Sequence, residues 1–507
     1  MRKTAALVMI ITILSKSFGL LRDIILSYFY GASNISDAYL IALTIPGVIF
    51  SFISVAITTG YIPMYSRIEK DLGKEASLKY TSNIINLTLL VCTLIVFLTF
   101  LFTEEIVRLF ASGFDEETVI IASNFTRILV IGIYFTGVVN IFSGYLQLKG
   151  NYTIPALIGF PLNVFFIISI IVSAKTNTII LAIGATIAYL SQLFFIIPSI
   201  RKKGYKHKLV INFKDENIIR MIYIAIPVIL GTSINQINIL IDRTLSSQIV
   251  IGGVSALNYA DKLIFFVQGI FVMSISTVLF PTMSKMYINK DSNGFKKIIA
   301  ESVTTINLLV IPSTFGFMIF SKEIITFLFG RGEFDSNAIE LTSSALFFFS
   351  IGIIGFGLRE VLSKAFYSMQ DSKTPMINAV IGLIINIVLN IILSRYLGIG
   401  GLALATSISA LITSTLLFLS LRKRIGSFGI KKIIISFLKI IFASCLMGLA
   451  SKLSFIYFKE ILNQSVSLLI AIVVGSLSYF IIVTLLKIED VNNLSTIIKQ
   501  KFKNSLK

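Results

Sequence analysis

The stretch Thr12 to Asp23, TILSKSFGLLRD, places chemically capable residues inside a long apolar run. On a helix, Thr12, Ser15, Lys16, Gly19, Arg22 and Asp23 recur at three- and four-residue steps and fall on one face. Isoleucine, leucine and phenylalanine cover the rest of the turn. Two cations, an acid, two hydroxyls and a glycine therefore share one stripe. A Lys or Arg at the centre of a bilayer costs at least about 2.5–3.5 kcal/mol, so such side chains face a wet cavity or a partner. One reading is a cationic pathway for an anion. The blander reading is an internal Arg22–Asp23 pair that locks neighbouring helices together.

The elements that must position this stripe are set by composition. The chain has 507 residues, 55% of them hydrophobic and 14% charged, with a mean hydropathy of +0.90. That is the composition of an all-α polytopic membrane protein. The apolar runs divide into about fourteen spans of bilayer length, joined by short loops. Lys and Arg gather at 67–79, 201–220, 285–297, 422–432 and in the tail, all on one side if the count is even. By the positive-inside rule both termini are expected in the cytoplasm. This placement also accounts for the net charge of +19, and no soluble reading domain supports nucleic-acid binding. Cys92 and Cys445 sit in apolar runs as expected packing residues, and His207 lies in a Lys-rich loop as an expected solvated side chain. With no His/Cys cluster and no nucleophile–base pair, enzymatic chemistry and a bound cofactor are not expected. The start, MRKTAALVMIITIL, imitates a signal peptide, but no A-x-A site follows, so it is expected to stay as the first span.

The chain also repeats. At an offset of about 218–220 residues, EEIVRLF (Glu104–Phe110) falls on KEIITFL (Lys322–Leu328) and Phe114-Asp115 on Phe334-Asp335. Pro155 falls on Pro375, and the opening stripe returns as Thr232, Asn235, Gln236, Ile239, Asp242 and Arg243. The expected organisation is a six-helix lobe at 1–212, a second at 213–430, and two further helices with a tail at 431–507. Six is even, so the lobes share one orientation, as in transporters with parallel repeats whose substrate site lies between lobes.

Further charges fall in or beside spans: Asp37, Asp261, Lys262, Arg359, Glu360 and Lys364. Arg359 with Glu360, and Arg243 with a neighbouring acid, are expected as structural pairs. Lys16, Arg22 and Lys262 are harder to assign that way, because facing lobes would bring them to one cavity. A cavity richer in cations than in acids suits a phosphate or pyrophosphate. Asn386, Asn390 and Thr406, with Asp242, form a set of oxygens suited to a hard monovalent cation, and equally to helix–helix hydrogen bonding.

Four segments carry a family resemblance: SKSFGLLRDIILSYFYGASNISDAYLIALTIP at the start, VSALNYADKL (Val254–Leu263), FLFGRGEFD (Phe327–Asp335) and LSKAFYSMQDSKTP (Leu362–Pro375). Together they resemble the lipid II flippases of the MurJ/MviN type, within the multidrug/oligosaccharidyl-lipid/polysaccharide exporter superfamily. The resemblance implies movement of an undecaprenyl-pyrophosphate-linked peptidoglycan precursor from inner to outer leaflet of the bacterial cytoplasmic membrane by alternating access; a monomer is the expected working state. It also implies substrate contacts at Ser15, Lys16, Arg22, Asp23, Asp37 and Lys262. A sodium site is implied at Asp242, Asn386, Asn390 and Thr406 with the carbonyl of Leu402, sodium being the coupling ion. Three departures stand out. Lys replaces Arg at 16 and 262, Phe50 stands where a cavity Arg is usual, and Asn390 stands where a relative carries an acid. Other readings are a flippase for another lipid-linked envelope polysaccharide, a multidrug antiporter, which should have an acid-dominated cavity, and a non-transporting scaffold.

Overall fold

Long apolar stretches have one way to satisfy their backbone groups within a single segment in hydrocarbon, the α-helix. The computed structural model describes residues 2–487 and is helical nearly throughout. In chain order the helices are α1 (Arg2–Tyr30), α2 (Asn34–Leu101), α3 (Thr103–Phe110), α4 (Glu116–Leu129), α5 (Gly132–Leu148), α6 (Thr153–Leu157), α7 (Gly159–Ser173) and α8 (Ile179–Lys202). They continue with α9 (Glu216–Ile249), α10 (Gly253–Ile288), α11 (Ser292–Phe329), α12 (Ser336–Ser368), α13 (Lys373–Leu397), α14 (Ile399–Ile425), α15 (Ile430–Lys459) and α16 (Gln464–Leu485). Eleven of the described helices are long and apolar enough to cross a membrane, or twelve with the bent pair α4–α5 taken as one span. The 68-residue α2 breaks at Gly73 (φ 85°) into two such lengths, and the 29-residue α1 adds another. The protein is thus an all-helical multi-pass membrane protein, and fourteen spans fit this fold. The tail beyond Lys487, expected in the cytoplasm, lies outside the described residues.

The repeat is visible in local geometry. Helix α2 ends at Phe102 (φ −113°, ψ 31°), and the helical run of α11 breaks at Phe320 (φ −117°, ψ 22°), 218 positions on. Asp115 caps α4 by accepting from Thr118 N at 2.9 Å, and Asp335 caps α12 by accepting from Ala338 N at 2.7 Å. Each aspartate satisfies one of the orphan amides at a helix start.

The helices cluster into two compact units. The first holds residues 1–256 and 331–338, the second 257–330 and 339–507. In the first unit, α1 lies against α7, and α2 packs on α4, α5 and α9. Its core includes Leu26, Tyr39, Ile41, Phe125 and Phe166. A second cluster is rich in tyrosine, with Tyr61, Tyr65, Tyr80, Tyr145 and Tyr205. In the second unit α13 pairs with α14, and α15 and α16 pack together and onto α11.

One of the motifs proves to be helix-cap chemistry. In QDSKTP, Asp371 accepts from Thr374 N at 3.0 Å and Thr374 Oγ1 at 2.8 Å, and it meets Arg424 at 3.1 Å. Burial opposes its ionisation, but the Thr374 hydrogen bonds and the Arg424 charge outweigh it and hold the carboxyl below its ordinary value. A depressed pKa gives stability that is present above the unfolded value of about 3.9 and lost as pH falls through the folded one. Asp371→Ala is therefore expected to cost about 1 kcal/mol at neutral pH, read as a lower unfolding midpoint in detergent. The difference from wild type should vanish in strong acid.

Candidate functional site

The opening stripe does form one helical face, but that face divides between two environments. Ser15 and Gly19 seat α7. Ser15 Oγ lies so close to Gly159 that a Cβ there would collide with it, and Gly19 lies opposite Asn163. Phe18 stacks edge-on against Phe160, with ring centroids 5.2 Å apart. Thr12 is exposed and donates to Val8 O at 2.8 Å. Lys16 is exposed and has no ion-pair or hydrogen-bond partner among the described residues.

Arg22 and Asp23 form the centre of the stripe. The guanidinium places Nη2 at 2.8 Å and Nε at 3.0 Å from a single oxygen, Asp23 Oδ1. Its side chain retains 21% exposure, while that of Asp23 retains 2%. The ring of Phe166 on α7 lies under the cation at 5.0 Å, a cation–π contact that suits a planar guanidinium. The other oxygen, Asp23 Oδ2, and the nearby Tyr39 hydroxyl are both buried without a hydrogen bond. The internal pair expected on the blander reading therefore exists. It is incompletely satisfied, and its cation still reaches an open surface.

Asp37 is engaged differently. It is buried at the start of α2, with Oδ2 accepting from Gly252 N at 2.9 Å. Oδ1 accepts from Ser255 N at 2.7 Å and from Ser255 Oγ at 2.5 Å. The carboxylate thus caps the N-terminus of α10, where the helix dipole favours a negative charge. Two further contacts close around this point. Gly252 (φ 81°) approaches Ala32 O, and Glu333 N donates to Tyr28 O at 2.9 Å beside Gly332 (φ 65°). The segments DAY, VSAL and GRGEFD thus converge on one hub of turns. Gly252, Ser255 and Tyr39 were not singled out from the sequence; the short motif VSALNYADKL was the available signal.

Lys262, half-buried on α10, belongs to the second unit and has no ion-pair partner among the described residues. One expected pairing is corrected here. Glu360 meets Lys364 at 3.5 Å, and the Arg359 guanidinium lies 5.5 Å over the Phe356 ring instead of pairing with Glu360. Arg243 donates to Val254 O at 3.1 Å. His207 accepts or donates at Nδ1 with the Tyr205 hydroxyl at 3.0 Å, so it is more than a solvated loop residue. Cys92 is buried as expected, whereas Cys445 is exposed on α15. Phe50 sits in a small core cluster with Cys92, Val130 and Ile133, and borders a cavity of about 80 Å³ lined mostly by apolar groups.

The amide set on α13 and α14 is brought together. Asn390 Nδ2 donates to Asn386 Oδ1 at 2.9 Å, Asn386 Nδ2 to Thr406 Oγ1 at 3.1 Å, and Thr406 Oγ1 to Leu402 O at 3.0 Å. One of these bonds, Asn386 to Thr406, crosses from α13 to α14, and the chain gathers four neutral oxygens of the kind a hard monovalent cation takes. Asp242, which accepts from Asn238 Nδ2 at 3.2 Å, belongs to the first unit, and the amide set belongs to the second.

A multi-pass helical bundle whose caps and breaks recur about 220 residues apart, with cations set into its first span, has the build of a transporter. Residues 26–474 match the family described as Lipid II flippase MurJ, and the chain belongs to that family. It is 31% identical over 425 residues to a probable lipid II flippase MurJ of Buchnera aphidicola subsp. Schizaphis graminum, covering 82% of each chain. To the corresponding protein of Thermotoga maritima it is 29% identical over 484 residues, covering 95% of this chain and 96% of that one. A solved structure titled "Lipid II flippase MurJ, inward closed conformation" superposes with a TM-score of 0.83 at 29% identity, over 95% of this chain and 98% of that one. An inward-facing multidrug resistance MATE transporter of the MOP superfamily shares the fold at 15% identity and a TM-score of 0.72, over 82% and 95% of the two chains.

Proposed function

We propose that this chain flips lipid II across the cytoplasmic membrane, passing the substrate's diphosphate along the cations of the first span. Lys16 and Arg22 would hold the phosphates, Ser15 would donate to them, Asp23 would act as a displaceable counter-ion, and Lys262 would add a third positive group. A diphosphate alone in hydrocarbon meets a Born cost of tens of kcal/mol, so fixed cations in a hydrated cleft are the minimum requirement. The observation that supports this reading is the Arg22–Asp23 pair. Both guanidinium bonds fall on one carboxylate oxygen while the other stays idle, so an incoming phosphate can take the fork of Arg22 without dismantling a saturated network. With both termini in the cytoplasm, an inside-negative potential favours outward movement of the headgroup by about 2.3 kcal/mol per charge per 100 mV. Depleting the protein from cells should accumulate lipid II in the inner leaflet. If another lipid-linked glycan accumulates instead, the substrate assignment fails.

Sodium would be held by Asp242, Asn386, Asn390, Thr406 and the Leu402 carbonyl, and would supply an inward gradient to drive transport. The neutral oxygens gathered on α13 and α14 support this ligand set. Replacing sodium by choline should lower flipping several-fold in proteoliposomes of the wild type and leave an already slow Asn386→Ala variant unchanged. Equal rates of the wild type in both salts would remove sodium from the scheme.

A further inference from the structure

The segment between α8 and α9 is strapped to α2 in an unusual way. Asn83 Nδ2 donates to Asn212 O at 3.1 Å, and Asn83 Oδ1 accepts from Asn212 N at 2.8 Å. Asn86 Nδ2 donates to the carbonyls of Lys208 and Val210 at 3.1 and 2.9 Å, and Lys208 N donates to Ser82 Oγ at 3.2 Å. Helix side chains thus hold the backbone at 208, 210 and 212 against α2, and Val210 N closes a tight turn onto Lys208 O at 3.0 Å, with Leu209 at its tip. With the backbone side of the segment tied to α2, Leu209, Ile211 and Phe213 project outward, 91%, 55% and 66% exposed.

Three apolar tips presented to water on a short loop need a reason. The strap is anchored at Ser82–Asn86, just inside the uncharged stretch of α2 that runs from Tyr80 to its end after the last cation, Lys79, which is the depth of a water–hydrocarbon boundary. Around it stand Arg201, Lys202, Lys203, Lys206 and Lys214, all exposed and without an acidic partner among the described residues. Apolar side chains at headgroup depth ringed by cations are the pattern of interfacial attachment to anionic lipid. We propose that residues 203–215 are an interfacial anchor that inserts Leu209, Ile211 and Phe213 into the bordering leaflet and binds anionic phospholipid headgroups through the flanking Lys and Arg. The charge selects a negatively charged lipid surface over a neutral one.

The chain contains no tryptophan, so a single one reports its own surroundings. Leu209→Trp, Ile211→Trp and Phe213→Trp, with Asn289→Trp as an exposed loop control, would be placed in vesicles of phosphatidylethanolamine and phosphatidylglycerol carrying a shallow doxyl quencher. Phe213→Trp exchanges one aromatic for another at an exposed position, so its folding is secure even if the other two suffer. Blue-shifted emission with strong quenching at 209, 211 and 213, absent at 289, is the expected result. Quenching should fall when phosphatidylcholine replaces phosphatidylglycerol, and again at high salt. Emission typical of water at Phe213→Trp, open to aqueous acrylamide and indifferent to the lipid quencher, would overturn the proposal. So would a blue shift that follows protein density in the vesicle instead of lipid charge, which would make the surface a contact between copies of the chain.

Discussion

Arg22→Ala is expected to abolish flipping and to lower stability by about 3–5 kcal/mol, because it leaves the Asp23 carboxylate buried and uncompensated. Those two losses must be separated, since an unstable transporter is also an inactive one. Arg22→Met combined with Asp23→Asn removes both charges and keeps similar volumes. Such replacements of buried pairs are often neutral or stabilising, so the unfolding midpoint in detergent should return to near that of the wild type. Flipping of a labelled lipid II in proteoliposomes should not return. Arg22→Lys should fold normally and transport slowly, because an ammonium keeps the charge but loses the fork and the ring contact with Phe166. Lys16→Ala offers the opposite contrast. An exposed side chain with no partner among the described residues should cost no more than about 0.5 kcal/mol in stability, while transport falls. If the double variant flips lipid II at the wild-type rate, Arg22 and Asp23 are a structural lock and the cationic pathway has lost its centre.

The spans, the repeat and the family were legible in the sequence because each rests on a pattern of many residues. Hydropathy over some twenty positions is hard to mistake, and an offset that superimposes Phe114-Asp115 on Phe334-Asp335 reflects one helix cap used twice. What a helical stripe cannot show is its neighbour. The spacing placed Ser15, Lys16 and Arg22 on one face, yet within that face Ser15 serves the packing of α7 while Lys16 stays open, because adjacent positions on a face differ enough in azimuth to meet different elements. Asp37 shows the larger gap. An acid at a span start looks like a cavity residue until the chain returns 215 positions later and offers it a helix end. Similarly, Arg359 and Glu360 look like a pair in sequence, but Glu360 meets Lys364 one turn on and the Arg359 guanidinium lies over the Phe356 ring.

Asp37 carries the second large expectation, because its bonds join the start of α2 to the start of α10. Losing the carboxylate would strand two buried amides, those of Gly252 and Ser255, at about 1–3 kcal/mol each. Asp37→Ala should therefore weaken this junction far more than Ser255→Ala, which removes a hydroxyl but leaves both amide bonds in place. Asp37→Asn should fall between, keeping one acceptor oxygen and losing the charge. The exposed Cys445 can be changed to serine while the buried Cys92 is left alone, so Ser255→Cys then becomes a selective reporter of opening. Ser255 is fully buried at rest, and a water-soluble maleimide should label the cysteine slowly. Adding Asp37→Ala should raise the labelling rate by about 100-fold if the junction loses about 3 kcal/mol. A transporter that alternates must close on this side as well as open, so flipping should fall as labelling rises. Unchanged labelling would reduce Asp37 to a helix cap that never opens, and a latch at this position would have no part in the transport cycle.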